Sequence, residues 1–204
     1  MEKGILVAVD LHSEWLLAGW YAAYSLYNTY PIAFVNCGMS KKALAWAQEK
    51  GTVIQPSLGG KRGSIKPLIL QLSPFKTTIW IELNCEVRSS LSCLFEELEE
   101  GKDMGLCLER DDKGVLFNSG VIVFKQNAAL LNLWTENSLK NQTIEDKYFF
   151  TSLLETEGSR LKELKPIYNW LPMWGDNPAA TILYWPIKTG KLFINPSQVK
   201  VNTF

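Results

Sequence analysis

The stretch TTIWIELNCEV, Thr77 to Val87, decides how this chain is read. Its first half, Thr78, Ile79, Trp80 and Ile81, is a β-branched and aromatic run, the composition of a buried strand. Its second half alternates, with Glu82, Asn84 and Glu86 between Leu83, Cys85 and Val87. In an extended chain that alternation sets the three polar side chains on one face. Carboxylates at the end of a buried strand are costly unless something pairs with them. The stretch therefore predicts a partner for Glu82 and Glu86, and with it a site.

Upstream, the pattern alternates between strand and helix. Gly4 to Val9 is a short apolar run closed by Asp10. Ser13 is placed to cap a helix over Glu14 to Tyr27, apolar nearly all round and expected to be covered on two sides. Pro31 to Val35 reads as a second strand. A helix capped by Ser40 and stopped by Gly51 follows, and Thr52 to Ile54 reads as a third strand. This order implies a parallel sheet with helices on its faces, in which ligands collect beyond the carboxyl ends of the strands. Asp10, Asn36, Gln55, Glu82, Asn84 and Glu86 all stand at such ends. The lone histidine, His12, lies beside Asp10 and reads as a cap at the rim of that cleft.

Ser57 to Ser64, SLGGKRGS, lacks Walker spacing. It reads equally as a plain surface loop or as a lid bringing Lys61 and Arg62 to an anion. Pro67 suits the first turn of a short helix begun by Lys66. Ser89 or Ser90 is expected to cap a helix running through Leu98. Met104 to Leu108 and Val115 to Phe124 read as antiparallel strands. Gly120, inside the second, marks a bulge or a close backbone approach. Helices are expected over Ala128 to Lys140 and from Thr143, and a strand over Thr181 to Trp185.

The 204 residues suit one domain over 1–204, large enough to bury about 70% of its unfolded surface. Formal net charge is zero and no basic block occurs, which argues against a nucleic-acid partner. The first apolar run is too short for a signal-peptide core, and no run approaches a membrane span, so a cytoplasmic location is expected. Cys37, Cys85, Cys93 and Cys107 lack zinc spacing and read as buried thiols.

Four segments, in order, carry a resemblance: YPIAFVNCGMS (from Tyr30), KPLILQLSPFKTTIWIELNCEV (from Lys66), FNSGVIVF (from Phe117) and ATILYWPIKTGK (from Ala180). Together they resemble the metal-dependent nucleotide-sugar glycosyltransferases of the GT-A fold. The nearest group is the retaining enzymes related to glycogenin and bacterial lipopolysaccharide galactosyltransferases. The resemblance runs from Gly4 to about Lys191. It implies an α/β layered domain with a mainly parallel central sheet and helices on both faces. It also implies a nucleotide diphosphate sugar donor, a UDP-sugar first, and an acceptor that the sequence does not name.

Residue by residue, the resemblance sets the family's D-x-D metal motif on Glu82, Leu83 and Asn84, and its third ligand, a histidine, on Tyr184. Asn118, followed by Ser119 and Gly120, matches a donor-contacting asparagine, and Asp146 with Lys147 matches a sugar-contacting pair. Lys66 falls where relatives carry a basic residue facing the donor, and Lys191 would hold the diphosphate. The implied catalytic residues are thus Asp146 and Asn118. The donor-binding set is Asp10, Asn36, Gln55, Lys66, Asn118, Ser119, Gly120 and Lys191.

All departures concern the metal. Glutamate still offers oxygen to manganese or magnesium, but Asn84 is neutral and a phenol is a poor substitute for imidazole. Glu86 would compensate in part. A degraded metal site is expected, with Lys61, Arg62, Lys66 and Lys191 as substitute cations. The leading expectation is a glycosyltransferase with weakened or lost metal dependence. The alternatives are an inactive nucleotide-sugar-binding relative and a sugar-phosphate nucleotidyltransferase, the latter disfavoured by the lack of a glycine-rich signature after the first strand. Relatives are often longer, so the acceptor site is expected to be minimal, supplied by a partner, or absent.

Overall fold

The computed structural model describes residues 1–57, 65–111, 114–140, 149–150 and 159–186. Nine strands are named among them: β1 (Lys3–Val9), β2 (Ile32–Asn36), β3 (Thr52–Ile54), β4 (Thr77–Ile81), β5 (Cys85–Val87), β6 (Met104–Asp111), β7 (Gly114–Lys125), β8 (Leu161–Leu164) and β9 (Ile182–Tyr184). Five helices accompany them: α1 (Leu17–Ser25), α2 (Lys41–Lys50), α3 (Lys66–Leu70), α4 (Ser92–Glu96) and α5 (Ala129–Lys140). No helix among the described residues is long and apolar enough to cross a membrane.

Seven strands form one sheet in the order β3-β2-β1-β4-β7-β6-β8. The pairs β3–β2, β2–β1, β1–β4 and β6–β8 are parallel, whereas β7 runs antiparallel to both β4 and β6. Both faces are covered. Ile5, Val7 and Val9 of β1 pack into one apolar cluster with Leu17, Trp20 and Tyr24 of α1. Leu6 packs into another with Leu130 and Trp134 of α5 and with Phe149 and Phe150. Two covered faces are why β1, β2 and β4 read as continuous apolar runs rather than alternating ones.

Among the described residues the expected elements are present, with four corrections. The extended chain of the decisive stretch ends at Ile81. Cys85 N donates to Glu82 O at 3.0 Å, which closes a tight turn over Leu83 and Asn84. β5 then pairs antiparallel with β9 in a separate two-stranded sheet, so Glu82, Asn84 and Glu86 do not share one strand face. The second correction concerns Ser13, whose hydroxyl makes no cap bond to the following helix. Glu14 to Leu16 instead form a 3₁₀ turn before α1, and it is the Asp10 side chain that accepts from the amides of His12 and Ser13 ahead of that turn. Third, α1 buries Leu17, Trp20 and Tyr24 on one side, while Trp15, Leu26 and Tyr27 around it are exposed. Fourth, α4 is shorter than expected, from Ser92 to Glu96, and Leu91 N just before it donates to Asn28 Oδ1 at 2.8 Å.

Ser40 caps α2 as expected, its Oγ accepting from Ala43 N at 3.2 Å. Gly51 ends that helix in extended backbone, and a Cβ there would lie 2.4 Å from the Ile32 carbonyl oxygen. Close approach to β2, not a left-handed turn, requires glycine at this point. The predicted bulge is also present. Between Leu106 and Cys107 the β6–β7 register jumps from Ile122 to Asn118, leaving Ser119, Gly120 and Val121 without β6 partners. The helix expected from Thr143 lies outside the described residues.

Candidate functional site

The parallel register sets the ends of β3, β2, β1 and β4 along one edge of the sheet, and with them Gln55, Asn36, Asp10 and Glu82. Asp10 and Asn36 serve turns, and Gln55 is held by Asn36. Asp10 Oδ1 accepts from Ser13 Oγ at 2.6 Å, Ser13 N at 2.8 Å and His12 N at 3.1 Å. Burial pushes the Asp10 carboxyl up, but the bonds from Ser13 and His12 outweigh it and hold the group below the ordinary aspartate value. Asn36 Oδ1 accepts from Gly38 N and Met39 N, and its Nδ2 donates to Gln55 Oε1 at 3.0 Å. Glu14 reaches across to α2, its Oε2 accepting from Ser40 N at 2.7 Å.

Glu82 has found a partner. Lys66 Nζ donates to Glu82 Oε1 at 2.6 Å, to Ser119 Oγ at 2.8 Å and to Ser119 O at 3.4 Å. The ammonium also stands 5.9 Å from the centre of the Trp80 ring. The pairing follows from local structure. Pro67 starts α3 directly after Lys66, and Ile69 and Leu70 anchor that helix in the core. The β7 bulge brings Ser119 and Gly120 to the end of β4, where Glu82 N donates to Gly120 O at 3.0 Å.

The bulge is itself held by Asn118. Its Oδ1 accepts from Gly120 N at 2.8 Å, and its Nδ2 donates to Glu109 Oε2 at 2.7 Å. The sequence reading missed Glu109. The available signal was the first carboxylate after the apolar run GLCL of β6, in the strand that pairs with the one carrying the NSG interruption.

Asn84 is buried, and its Nδ2 donates to Trp185 O at 2.8 Å. Trp185 N in turn donates to Asn84 O at 3.0 Å. Tyr184 pairs with Cys85, and its ring lies where a Cβ on Gly120 would come within 2.7 Å. Burial, with Glu82 nearby, pushes the Tyr184 phenol far above its ordinary value. Burial and Glu82 push the Cys85 thiol up in the same way. Glu86 turns elsewhere, accepting from Trp185 Nε1 at 3.3 Å with Arg88 Nε 3.9 Å away.

The structure thus gathers Lys66, Glu82, Asn84, Asn118, Ser119, Gly120 and Tyr184. It sets Asp10, Asn36 and Gln55 along the same edge in contacts of their own, and leaves Glu86 on the small sheet. Asp146, Lys147, Lys191, Lys61 and Arg62 lie outside the described residues.

The gathered donors suit a divalent cation poorly. Glu82 brings one carboxylate with an ammonium already on Oε1, Asn84 a neutral amide, and Tyr184 a buried phenol in place of an imidazole. Among the described residues, no three His, Cys, Asp or Glu side chains gather in a metal-sized group.

No protein-family model matches the sequence, and no curated protein matches it significantly. Solved structures do resemble it. The glycosyltransferase GlyE of Streptococcus pneumoniae TIGR4 aligns over 92% of this chain and 56% of its own, with a TM-score of 0.68 at 16% identity. Mouse xyloside xylosyltransferase 1 aligns over 92% of this chain and 100% of its own, with a TM-score of 0.61 at 13% identity. The galactosyltransferase LgtC, solved with donor and acceptor sugar analogs, aligns over 89% of this chain and 86% of its own, with a TM-score of 0.58 at 13% identity. This chain spans a little over half the length of GlyE. The fold is that of the GT-A glycosyltransferases.

Proposed function

We propose that this protein is a glycosyltransferase that binds a nucleotide diphosphate sugar along the carboxyl edge of the sheet and transfers the sugar to an acceptor. Its dependence on a divalent ion is weakened or lost. The observation that carries this reading is the polar cluster of Lys66, Glu82, Asn118 and Ser119 at the end of a buried strand, in a fold that glycosyltransferases share. Strand ends of a parallel sheet are where such folds collect ligands, and Asp10, Asn36 and Gln55 extend the same edge.

In this reading the donor is a UDP-sugar first. Asn118, whose amide is fixed by Glu109 and Gly120 N, faces the donor with Ser119 and Gly120. Asp146 positions the sugar and Lys191 the diphosphate, as the resemblance implies. The cysteines Cys37, Cys85, Cys93 and Cys107 are free thiols, which fits a cytoplasmic setting. A second reading, a relative that binds the donor without turning it over, draws on the same metal positions, each of which is engaged within the protein.

Calorimetric titration with a panel of nucleotide sugars, with and without manganese, tests the binding step, and release of free sugar tests turnover. One donor is expected to bind, and at 100 times its Kd it adds about 2.7 kcal/mol of stability. A panel that leaves the melting curve unmoved refutes the site. Binding without sugar release or transfer to any sugar or protein acceptor favours the inactive relative.

A further inference from the structure

We propose that the Lys66 ammonium is the resident cation of this site: it neutralises the donor's diphosphate where a divalent ion would, and by occupying Glu82 it keeps such an ion out. This rests on the donor-binding reading above and specifies its chemistry.

The geometry is that of a held cation. Three oxygens, Glu82 Oε1, Ser119 Oγ and Ser119 O, surround Nζ at 2.6, 2.8 and 3.4 Å. Trp80 presents its ring to the same ammonium. The Lys66 and Glu82 side chains are 19% and 24% exposed, enough for a ligand to reach them yet sheltered from full screening. An ammonium has three protons to give. The 3.4 Å contact to Ser119 O is the longest of these, and it is the one a phosphate oxygen would replace while Glu82 and Ser119 Oγ hold Nζ in place.

Charge balance supports the exchange. A divalent ion held by two carboxylates is a neutral unit, and so is an ammonium held by one. Asn84, neutral beside Glu82, gives the second arrangement. A divalent ion placed on Glu82 Oε1 would share that oxygen with Nζ, and two cations on one oxygen repel at a distance where little water separates them.

The test uses the full chain, with calorimetric titration of UDP and UMP in chelator and in manganese. The wild type is expected to bind UDP more tightly than UMP, equally well in both solutions. Lys66→Met is expected to weaken UDP in chelator by about 10- to 100-fold, the range for losing a charged hydrogen bond, and UMP by less. Manganese should recover part of that loss, because Glu82 is released. Lys66→Arg should keep the chelator-resistant binding. A wild type whose UDP affinity rises tenfold with manganese overturns the proposal, as does Lys66→Met binding UDP in chelator like the wild type. If Lys66→Met does not fold, Glu82→Gln carries the test. It leaves the ammonium unneutralised, so UDP should bind at least as tightly, and weaker binding overturns the proposal. The donor-binding reading fails separately, and takes this inference with it, if neither UDP, ADP, GDP nor CDP binds the wild type in either solution.

Discussion

The packing of Tyr184 against the β7 bulge can be tested by adding a single methyl group. In Gly120→Ala the new Cβ would lie 2.7 Å from two Tyr184 ring carbons and 3.1 Å from Asn118 Oδ1. Carbon atoms pack at about 3.5–4.0 Å, so the ring has to retreat by about 1 Å. It is not free to do so, since Tyr184 N is bonded to Trp170 O at 2.8 Å and Tyr184 pairs with Cys85 across the small sheet. Overpacking of this kind costs about 1–3 kcal/mol. Tyr184→Ala removes the obstacle. In that background the same Gly120→Ala change retains only the mild contact with Asn118 Oδ1 and should cost under about 0.5 kcal/mol, so the two substitutions couple by about 1–2 kcal/mol. Urea denaturation of the wild type, both single variants and the double variant measures the coupling through midpoints at constant slope. Costs that add within about 0.5 kcal/mol refute the contact. They would also undo the grouping of Tyr184 with Glu82 and Asn84, on which the account of the metal positions depends.

Three further outcomes are expected. Gly51→Ala drives a Cβ onto the Ile32 carbonyl oxygen, a backbone atom with little room to move, and should lower stability by about 3 kcal/mol; an unchanged urea midpoint refutes the close approach. The folded-state value of Asp10 is depressed, so its stabilisation is present above the unfolded value of about 3.9 and is lost as pH falls through the folded one. The difference in melting temperature between wild type and Asp10→Asn should therefore be full at neutral pH and shrink in acid, and a difference constant across that range refutes the turn's hydrogen bonds. Asn84→Asp loses the donor to Trp185 O and sets a carboxylate against that carbonyl, at a cost of about 1–3 kcal/mol by urea midpoint. Combined with Tyr184→His and Lys66→Met, it should create manganese binding in the presence of UDP. If the same pair binds manganese equally with Lys66 in place, Lys66 does not exclude the ion.

Local pattern was sufficient for much of this protein. The apolar runs of β1, β2 and β4, the Ser40 cap, the proline that opens α3 and the glycine that marks the β7 bulge each report a neighbourhood of a few residues, and each was legible in the chain. So was the strand-helix alternation that sets Asp10, Asn36, Gln55 and Glu82 on one edge, because strand direction in a parallel sheet follows from the connections. What Glu82 pairs with was not legible. Lys66 is 16 residues away and Ser119 lies 53 beyond Lys66, and their meeting depends on where α3 packs and where the β6–β7 register slips. Periodicity carried the decisive stretch too far, since a turn closed by Cys85 N and Glu82 O looks, in sequence, like two more residues of alternation. Asn84 shows the same limit: its partner is the carbonyl of Trp185, 101 residues on, and no side-chain pattern encodes a main-chain acceptor. The sequence by itself determined which strands are buried and which of their ends are polar. Only the tertiary structure decided that Lys66 meets Glu82 at those ends, because long-range packing, not local spacing, brings charges to within hydrogen-bond distance.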